Sequence, residues 1–132
     1  MSKSAILLSS IDSFYADPNH GDTLLSILNK RNKISLRQIE WFICSHSKKH
    51  NTTFTSRDGR LFTVHCAYKS SLDGYSKRYF DPFCRTSKIR YQIPGTDTVI
   101  QTTHAQLNFI RWVIKTGIYD YIEANRETLF KK

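Results

Sequence analysis

The spacing of apolar residues changes twice along this 132-residue chain, from a helical period to a strand-like alternation and back to a helical period. Apolar residues three or four positions apart predict helices over residues 4–15, 36–50 and 105–116, because that spacing places them on one helix face. Alternating residues and glycine-containing turns between them predict two antiparallel hairpins. The sequence therefore predicts an α+β fold, with helices at both ends and a short antiparallel sheet between them.

The two hairpins are predicted in different ways. In the first, an Asp-Gly pair between strand-like runs favours a tight turn. Its return strand is predicted over residues 62–68, packed against Trp41 or Trp112, with four alternating residues facing the core: Phe62, Val64, Cys66 and Tyr68. The second hairpin is predicted to pair residues 88–93 with residues 98–103 across a Pro-Gly turn.

Helix boundaries are indicated by residues that favour the ends of helices. Ser35 and Thr103 are placed to cap the helices that follow them, and Asp22 or Thr23 is predicted to cap a short helix after a Pro- and Gly-containing break. Gly117 is expected to end the long C-terminal helix.

One short pattern occurs twice. Leu-x-x-Ile-x-Trp-x-Ile is found at residues 36–43 and again at residues 107–114. It places Trp41 and Trp112 at equivalent positions of two predicted helices. We interpret these segments as two core helices of similar build, and not as a repeat fold.

The length predicts one domain over residues 1–132, with an N-terminal helical segment (1–33), a core (34–125) and a polar tail (126–132). No apolar run approaches the roughly 18 residues of a membrane span, and the N-terminus lacks a signal-peptide pattern. We therefore expect a soluble, intracellular protein that is not secreted and does not bind a membrane.

The positive charge is concentrated in the middle of the chain. The formal net charge is +9, yet residues 30–91 contain fourteen Lys and Arg against four Asp and Glu. The remaining residues contain six cations and seven acids. Such a concentration is typical of nucleic-acid binding and, less often, of binding to an acidic protein or an anionic membrane; a charge that serves only solubility would be spread more evenly.

Residues 68–91 (YKSSLDGYSKRYFDPFCRTSKIRY) alternate aromatic rings with cations. Cations follow a phosphate backbone and flat rings accept any base, so this composition suits nucleic acid. Tyr75 and Tyr79 are the rings expected to be exposed for stacking, whereas Phe80 and Phe83 are expected in the core. The cations predicted to contact phosphates are Lys69, Lys77, Arg78, Arg85, Lys88 and Arg90. In the alternative interpretation, the rings are core and the cations form a solvated surface.

The residues that could bind a metal are not arranged as in structural zinc sites. Cys44, Cys66 and Cys84 form no CxxC pair, and we expect them to be reduced, buried thiols. His46 and His50 are one helical turn apart, but no further ligand follows at a suitable spacing. No catalytic motif is recognisable. The sequence therefore predicts neither a metal nor a cofactor. It predicts a binding protein and not an enzyme.

Three blocks of the sequence support a resemblance: SLRQIEWFI, YKSSLDGYSKRYFDPFCR and TTHAQLNFIRWVIKTGIYDYI. Over residues 35–122 the chain resembles a group of small, uncharacterised proteins that are encoded by nucleocytoplasmic large DNA viruses. The resemblance implies a viral origin. It implies no activity and no catalytic residue, because that group has no established one.

Together, these observations predict a small nucleic-acid-binding protein of a large DNA virus, which contacts phosphates through Lys and Arg and stacks bases on Tyr without strong sequence specificity. It is expected in the cytoplasm or nucleus of the host cell, or in the virion. The alternative is a virion structural or interaction module whose basic face holds an acidic partner, such as another virion protein. Steep salt dependence would favour the first hypothesis over the second.

Overall fold

A computed structural model of the protein describes residues 3–29, 34–56 and 58–130, without the side chains of Lys3 and Ser4. Within these ranges the fold is α+β, which confirms the predicted class. The helices are α1 Lys3–Tyr15, α2 Pro18–Asn29, α3 Leu36–Trp41, α4 Ser47–His50, α5 Val64–Tyr75, α6 His104–Lys115, α7 Ile118–Ala124 and α8 Arg126–Leu129, and a π-helical turn, Phe42–His46, joins α3 to α4. The strands are β1 Thr53–Thr55, β2 Leu61–Thr63, β3 Ile89–Gln92 and β4 Val99–Thr102.

The break between the first two helices is shorter than predicted. Helix α2 begins at Pro18, and the Asp17 carboxylate caps it by accepting a hydrogen bond from the Asn19 backbone N–H (2.9 Å). The prediction that Asp22 or Thr23 caps this helix is therefore wrong. Proline is well suited to the first turn of a helix, because its missing N–H would have no partner inside the helix there.

Helix α3 begins as predicted. The Ser35 hydroxyl accepts a hydrogen bond from the Gln38 N–H (3.1 Å), and the Gln38 side chain accepts one from the Ser35 N–H (2.9 Å), which completes a capping box. The predicted apolar stripe faces inward: Ile39, Phe42 and Ile43 are fully buried. Directly after the π-helical turn, the buried Ser47 hydroxyl donates to the Ile43 carbonyl (2.5 Å).

Both predicted hairpins are present, as two separate two-stranded antiparallel sheets. Strand β1 pairs with β2, and strand β3 pairs with β4, with Arg90 opposite Gln101 in the second ladder. The turns at Gly59 and Gly95 have φ of 82° and 77°. These values lie in the left-handed region, where glycine carries no steric penalty.

The return strand of the first hairpin is much shorter than predicted. It ends at Thr63, and residues 64–75 form helix α5, so the strand prediction over residues 62–68 is wrong. Val64, Tyr68 and Leu72 recur at intervals of four and pack toward the core, whereas Cys66 is exposed. Residues four apart satisfy both the strand and the helix period. The exposure of Cys66 is consistent only with the helix, because a strand would place Cys66 on the same face as Val64 and Tyr68.

Helix α6 packs against the N-terminal helix. It is capped by the Thr103 hydroxyl, which accepts from the Gln106 N–H (3.1 Å), and it ends before Gly117 (φ 88°), as predicted. The buried Tyr15 hydroxyl of α1 donates to the Leu107 carbonyl of α6 (2.9 Å). The N-terminal helices therefore share one core with the rest of the chain. None of the helices in the described ranges is long and apolar enough to span a membrane.

Candidate nucleic-acid interface

A groove of about 460 Å³ opens beside the N-terminal end of helix α6. Three of its lining side chains are cationic, and none of the described residues that line it is a carboxylate. The helix N-terminus adds a partial positive charge, so the groove favours anions. We call it the cationic groove, and its lining residues are Arg37, Phe83, Cys84, Arg85, Lys88, Gln101, Thr102, Thr103 and Gln106.

The loop between α5 and β3 carries four of the nine residues that line the groove, and α6 holds this loop in place. The buried Asn108 side chain donates from Nδ2 to the Tyr79 carbonyl (2.8 Å), and Gln106 donates from Nε2 to the Pro82 carbonyl (3.0 Å). Phe80, between these two anchors, is buried in the core, as predicted. The part of the loop that precedes Arg85 is therefore tied to helix α6.

Phe83 does not lie in the core, contrary to the prediction. It is 40% exposed and lines the cationic groove. The guanidinium carbon of Arg37, on helix α3, lies 5.6 Å from the centroid of its ring, within the range of a cation–π contact. Phe80 already fills the core position of this loop, so Phe83 is left at the surface.

A smaller cavity of about 340 Å³ adjoins the groove, since both are lined by Cys84 and Thr103. This side cavity contains two of the residues predicted to contact nucleic acid, Arg78 and Tyr79. The Arg78 guanidinium lies 5.5 Å from the centroid of the Tyr79 ring. Tyr79 is half-buried and so less exposed than predicted. Four of the eight predicted residues, Arg78, Tyr79, Arg85 and Lys88, thus lie in two adjoining cavities.

Tyr75 is not exposed for stacking, contrary to the prediction. Its half-buried ring is stacked on Phe80, with the ring centroids 5.8 Å apart and an interplanar angle of 16°. Its hydroxyl accepts a hydrogen bond from Arg111 Nη2 (3.4 Å). Tyr75 is the last residue of helix α5, and the helical period turns its ring toward the core.

Three further predicted cations are exposed but do not line either cavity. Arg90 lies on β3 opposite Gln101, a groove residue, and so stands beside the groove. Lys77 lies in the turn after α5. Lys69 lies on α5, close enough to Cys44 and His65 for its charge to act on their pKa values.

The polar groups on the floor of the groove bond to one another. The Thr102 hydroxyl donates to Gln106 Oε1 (2.5 Å), while Gln106 Nε2 is used by the Pro82 carbonyl. The Thr103 hydroxyl accepts from the Gln106 backbone N–H. These hydrogen bonds occupy the Gln106 amide group, which could otherwise bond to the edge of a base.

The opposite end of α6 has the opposite charge. A cavity of about 650 Å³ there is lined by four carboxylates, against His20 and Lys115: Asp17, Asp22, Asp120 and Glu123. The molecule is therefore electrostatically polarised along α6, in the same direction as the helix dipole. This end would repel phosphate, so of the two ends of α6 the cationic groove is the one whose charge favours anions.

The thiols are less buried than predicted. Cys66 is exposed, and Cys44 and Cys84 are half-buried; all three are free. Burial is the largest cause that raises the pKa of the Cys44 thiol. Over the described part of the chain, no three His, Cys, Asp or Glu side chains are grouped so as to hold a metal ion.

Sequence reasoning missed Arg37 and the exposure of Phe83. Arg37 belongs to the basic middle of the chain, but no local pattern distinguishes it from the other cations there. A cation on the polar face of a helix usually faces solvent, and only the fold shows that this one meets the loop after α5.

Comparison with known proteins gives a family. The chain is 41% identical over 119 residues to "Uncharacterized protein L507" of Acanthamoeba polyphaga mimivirus, an alignment that covers 85% of this chain and 46% of that relative. The chain thus spans about half the length of this relative, which supports a viral origin and confirms the resemblance to an uncharacterised family of large DNA viruses. No solved structure matches the chain. Because all 132 residues match the group described as "Family of unknown function (DUF7197)", the chain belongs to that family.

Proposed function

We propose that this viral protein binds nucleic acid through the cationic groove, contacting phosphates without strong sequence specificity, and that it is a binding protein and not an enzyme. One observation carries the proposal. Arg37 from α3 and Arg85 and Lys88 from the distant loop converge on one groove that no described carboxylate lines. We expect the protein to act in the cytoplasm or nucleus of the host cell, or in the virion.

The energetics of phosphate binding fit this arrangement. A nucleic acid carries a condensed layer of counterions, and each Lys or Arg that replaces one releases it to solution. The groove cations are available for this exchange, because no described carboxylate lines the groove with them. The N-terminal end of α6 contributes further, because its partial positive charge adds to the charge of the side chains.

Weak sequence specificity follows from the floor of the groove. Thr102, Thr103 and Gln106 are engaged in hydrogen bonds within the protein, as described above. Cations on flexible stems contact phosphates of any sequence, and phosphate contacts carry no direct sequence information. The affinity should therefore vary little with base composition.

A second candidate function is an interaction module that holds an acidic partner. It is favoured by an apolar cavity next to the groove, whose lining includes Trp41, Leu129 and Phe130 together with Arg37. An interface with an apolar centre should depend only weakly on salt. Phosphate binding should instead weaken steeply as the salt concentration rises.

The test is a salt series with matched charge variants. Affinity for a fluorescent oligonucleotide is measured by anisotropy for the unmodified protein, for Arg85→Gln/Lys88→Gln, and for Lys48→Gln/Lys49→Gln. The control pair removes the same charge from α4, outside the groove. We expect the groove variant to lower the slope of log K against log salt by about one to two units, and the control to change it much less. Equal slopes for the two folded variants would contradict the proposal.

A further inference from the structure

We infer that the nucleic acid is single-stranded and that its bases stack on Phe83 and Trp41, on either side of Arg37. This inference rests on the proposed function and specifies which class of nucleic acid the same site binds. Its basis is the arrangement of two exposed rings around one cation.

Arg37 connects two neighbouring surfaces. It lines the cationic groove next to Phe83, and it also lines the apolar cavity of about 450 Å³ that contains Trp41. Arg37 and Trp41 are one turn apart on helix α3, so their side chains leave the helix on the same side. Across this surface, Arg37 therefore lies between the Phe83 ring and the Trp41 ring.

Both rings are unusually accessible. Phe83 and Trp41 are each 40% exposed, whereas Trp112, at the position equivalent to Trp41 in the repeated sequence pattern, is half-buried. Trp112 packs with Phe80, with ring centroids 5.4 Å apart. The two helices of similar build thus differ at this position, because Phe62, Tyr68 and Phe80 from other elements pack against Trp112.

Trp41 is exposed but held in a defined position. Its ring centroid lies 5.9 Å from that of Phe130 and 5.3 Å from that of His46. Contacts on these sides fix the indole, while part of its surface stays open to the solvent. An exposed ring fixed in this way offers a flat binding surface at a low cost in conformational entropy.

The two rings distinguish single strands from duplexes. In a duplex, the faces of the bases are covered by neighbouring base pairs, so they cannot stack on protein rings. In a single strand the faces are available, and stacking on an aromatic side chain accepts every base. Arg37, between the rings, is placed to contact a phosphate between stacked bases. The combination of cations and accessible rings therefore matches a single strand.

The test compares a fluorescent oligothymidylate with a duplex of the same length. Phe83→Leu and Trp41→Leu are each expected to weaken oligothymidylate binding about 5- to 150-fold and to leave duplex binding nearly unchanged. Leu61→Ala, which truncates a 79% exposed side chain on β2, is the control and should change neither. Circular dichroism and thermal melting verify that each variant is folded.

Tryptophan fluorescence gives a second readout, which compares the unmodified protein with Trp41→Leu. Oligothymidylate should quench the emission of the unmodified protein. In Trp41→Leu only Trp112 remains, and its emission should not respond.

The outcomes separate the two proposals. If the protein binds neither the oligothymidylate nor the duplex, the proposed function is wrong, and this inference is wrong with it. If both ligands bind equally and the ring variants have no effect, nucleic-acid binding stands and the inference is overturned. Quenching that persists in Trp41→Leu also overturns it.

Discussion

The guanidinium carbon of Arg37 lies 5.6 Å from the centroid of the Phe83 ring, and this contact joins helix α3 to the loop after helix α5. The loop brings Arg85 and Lys88 to the same groove. Distant parts of the sequence therefore form a single charged surface. The predictions below test the fold that creates this surface and the surface itself.

The first prediction concerns helix α5. Val64 is fully buried, so Val64→Asp should place an unpaired charge in the core and lower the free energy of unfolding by about 3 kcal/mol or more. Cys66 is exposed in the first turn of the helix, where an acidic residue is tolerated, and Cys66→Asp should change it by less than about 0.5 kcal/mol. Denaturant unfolding measures both. A strand over these residues would make the two substitutions equally damaging.

The second prediction concerns the side cavity. Arg78 lines it and Lys77 does not, although the two residues are adjacent and both are exposed. Arg78→Gln should lower the salt slope of nucleic-acid binding by about one unit, and Lys77→Gln should lower it by less. The measurement is anisotropy over a salt series. A larger effect of Lys77→Gln would show that the nucleic acid takes a path outside the side cavity.

The third prediction concerns stability at alkaline pH. The Tyr91 hydroxyl donates to Asp12 Oδ1 (2.7 Å); burial, and then this bond and the charge of Asp12, raise the pKa of Tyr91 above its ordinary value of 10.0. In the folded state the phenol therefore keeps its proton to a higher pH than in the unfolded state. This contribution to stability is complete below about pH 10 and is lost as the pH rises toward the folded-state pKa.

Tyr91→Phe should consequently make the free energy of unfolding fall less steeply between about pH 10 and pH 12. Urea unfolding at a series of pH values measures this slope. The unmodified protein is the reference, because its lysines titrate in the same range. Parallel curves for the two proteins would contradict the assignment of the raised pKa to Tyr91.

The fourth prediction concerns metal. The purified protein should contain no stoichiometric zinc, and a chelator should leave its melting temperature unchanged, because a structural zinc site contributes directly to folding. Elemental analysis and thermal melting with and without chelator measure the two quantities. About one equivalent of zinc together with chelator-induced unfolding would mean that a metal site had been overlooked.

The sequence predicted the elements whose signals are local. The Ser35 and Thr103 caps, the end of α6 at Gly117 and the two hairpin turns each depend on a few adjacent residues, and all are present. The same applies to the buried stripe of α3. Local signals are reliable here because the backbone conformations involved tolerate few residue types.

The features that were not predicted depend on contacts between distant segments. Val64 and Tyr68 fit a strand and a helix equally well, and the exposure of Cys66 between them decides for the helix. Phe80 and Phe83 have the same chemistry, and only the fold shows which of them the core accommodates. For this reason the sequence named two of the three cations that line the groove, Arg85 and Lys88, but missed Arg37 and assigned the exposed ring to the wrong residues.

The most direct test of the central claim uses the cysteines as reporters. Cys84 lines the cationic groove, with its Sγ donating to the Thr86 carbonyl (3.5 Å), whereas Cys66 is exposed on α5 and does not line the groove. Alkylation of each thiol is followed by mass spectrometry, with and without a saturating oligonucleotide. We expect nucleic acid to slow the alkylation of Cys84 several-fold and to leave the rate at Cys66 unchanged. Unchanged rates at both thiols in a protein shown to be saturated would mean that nucleic acid does not occupy the cationic groove.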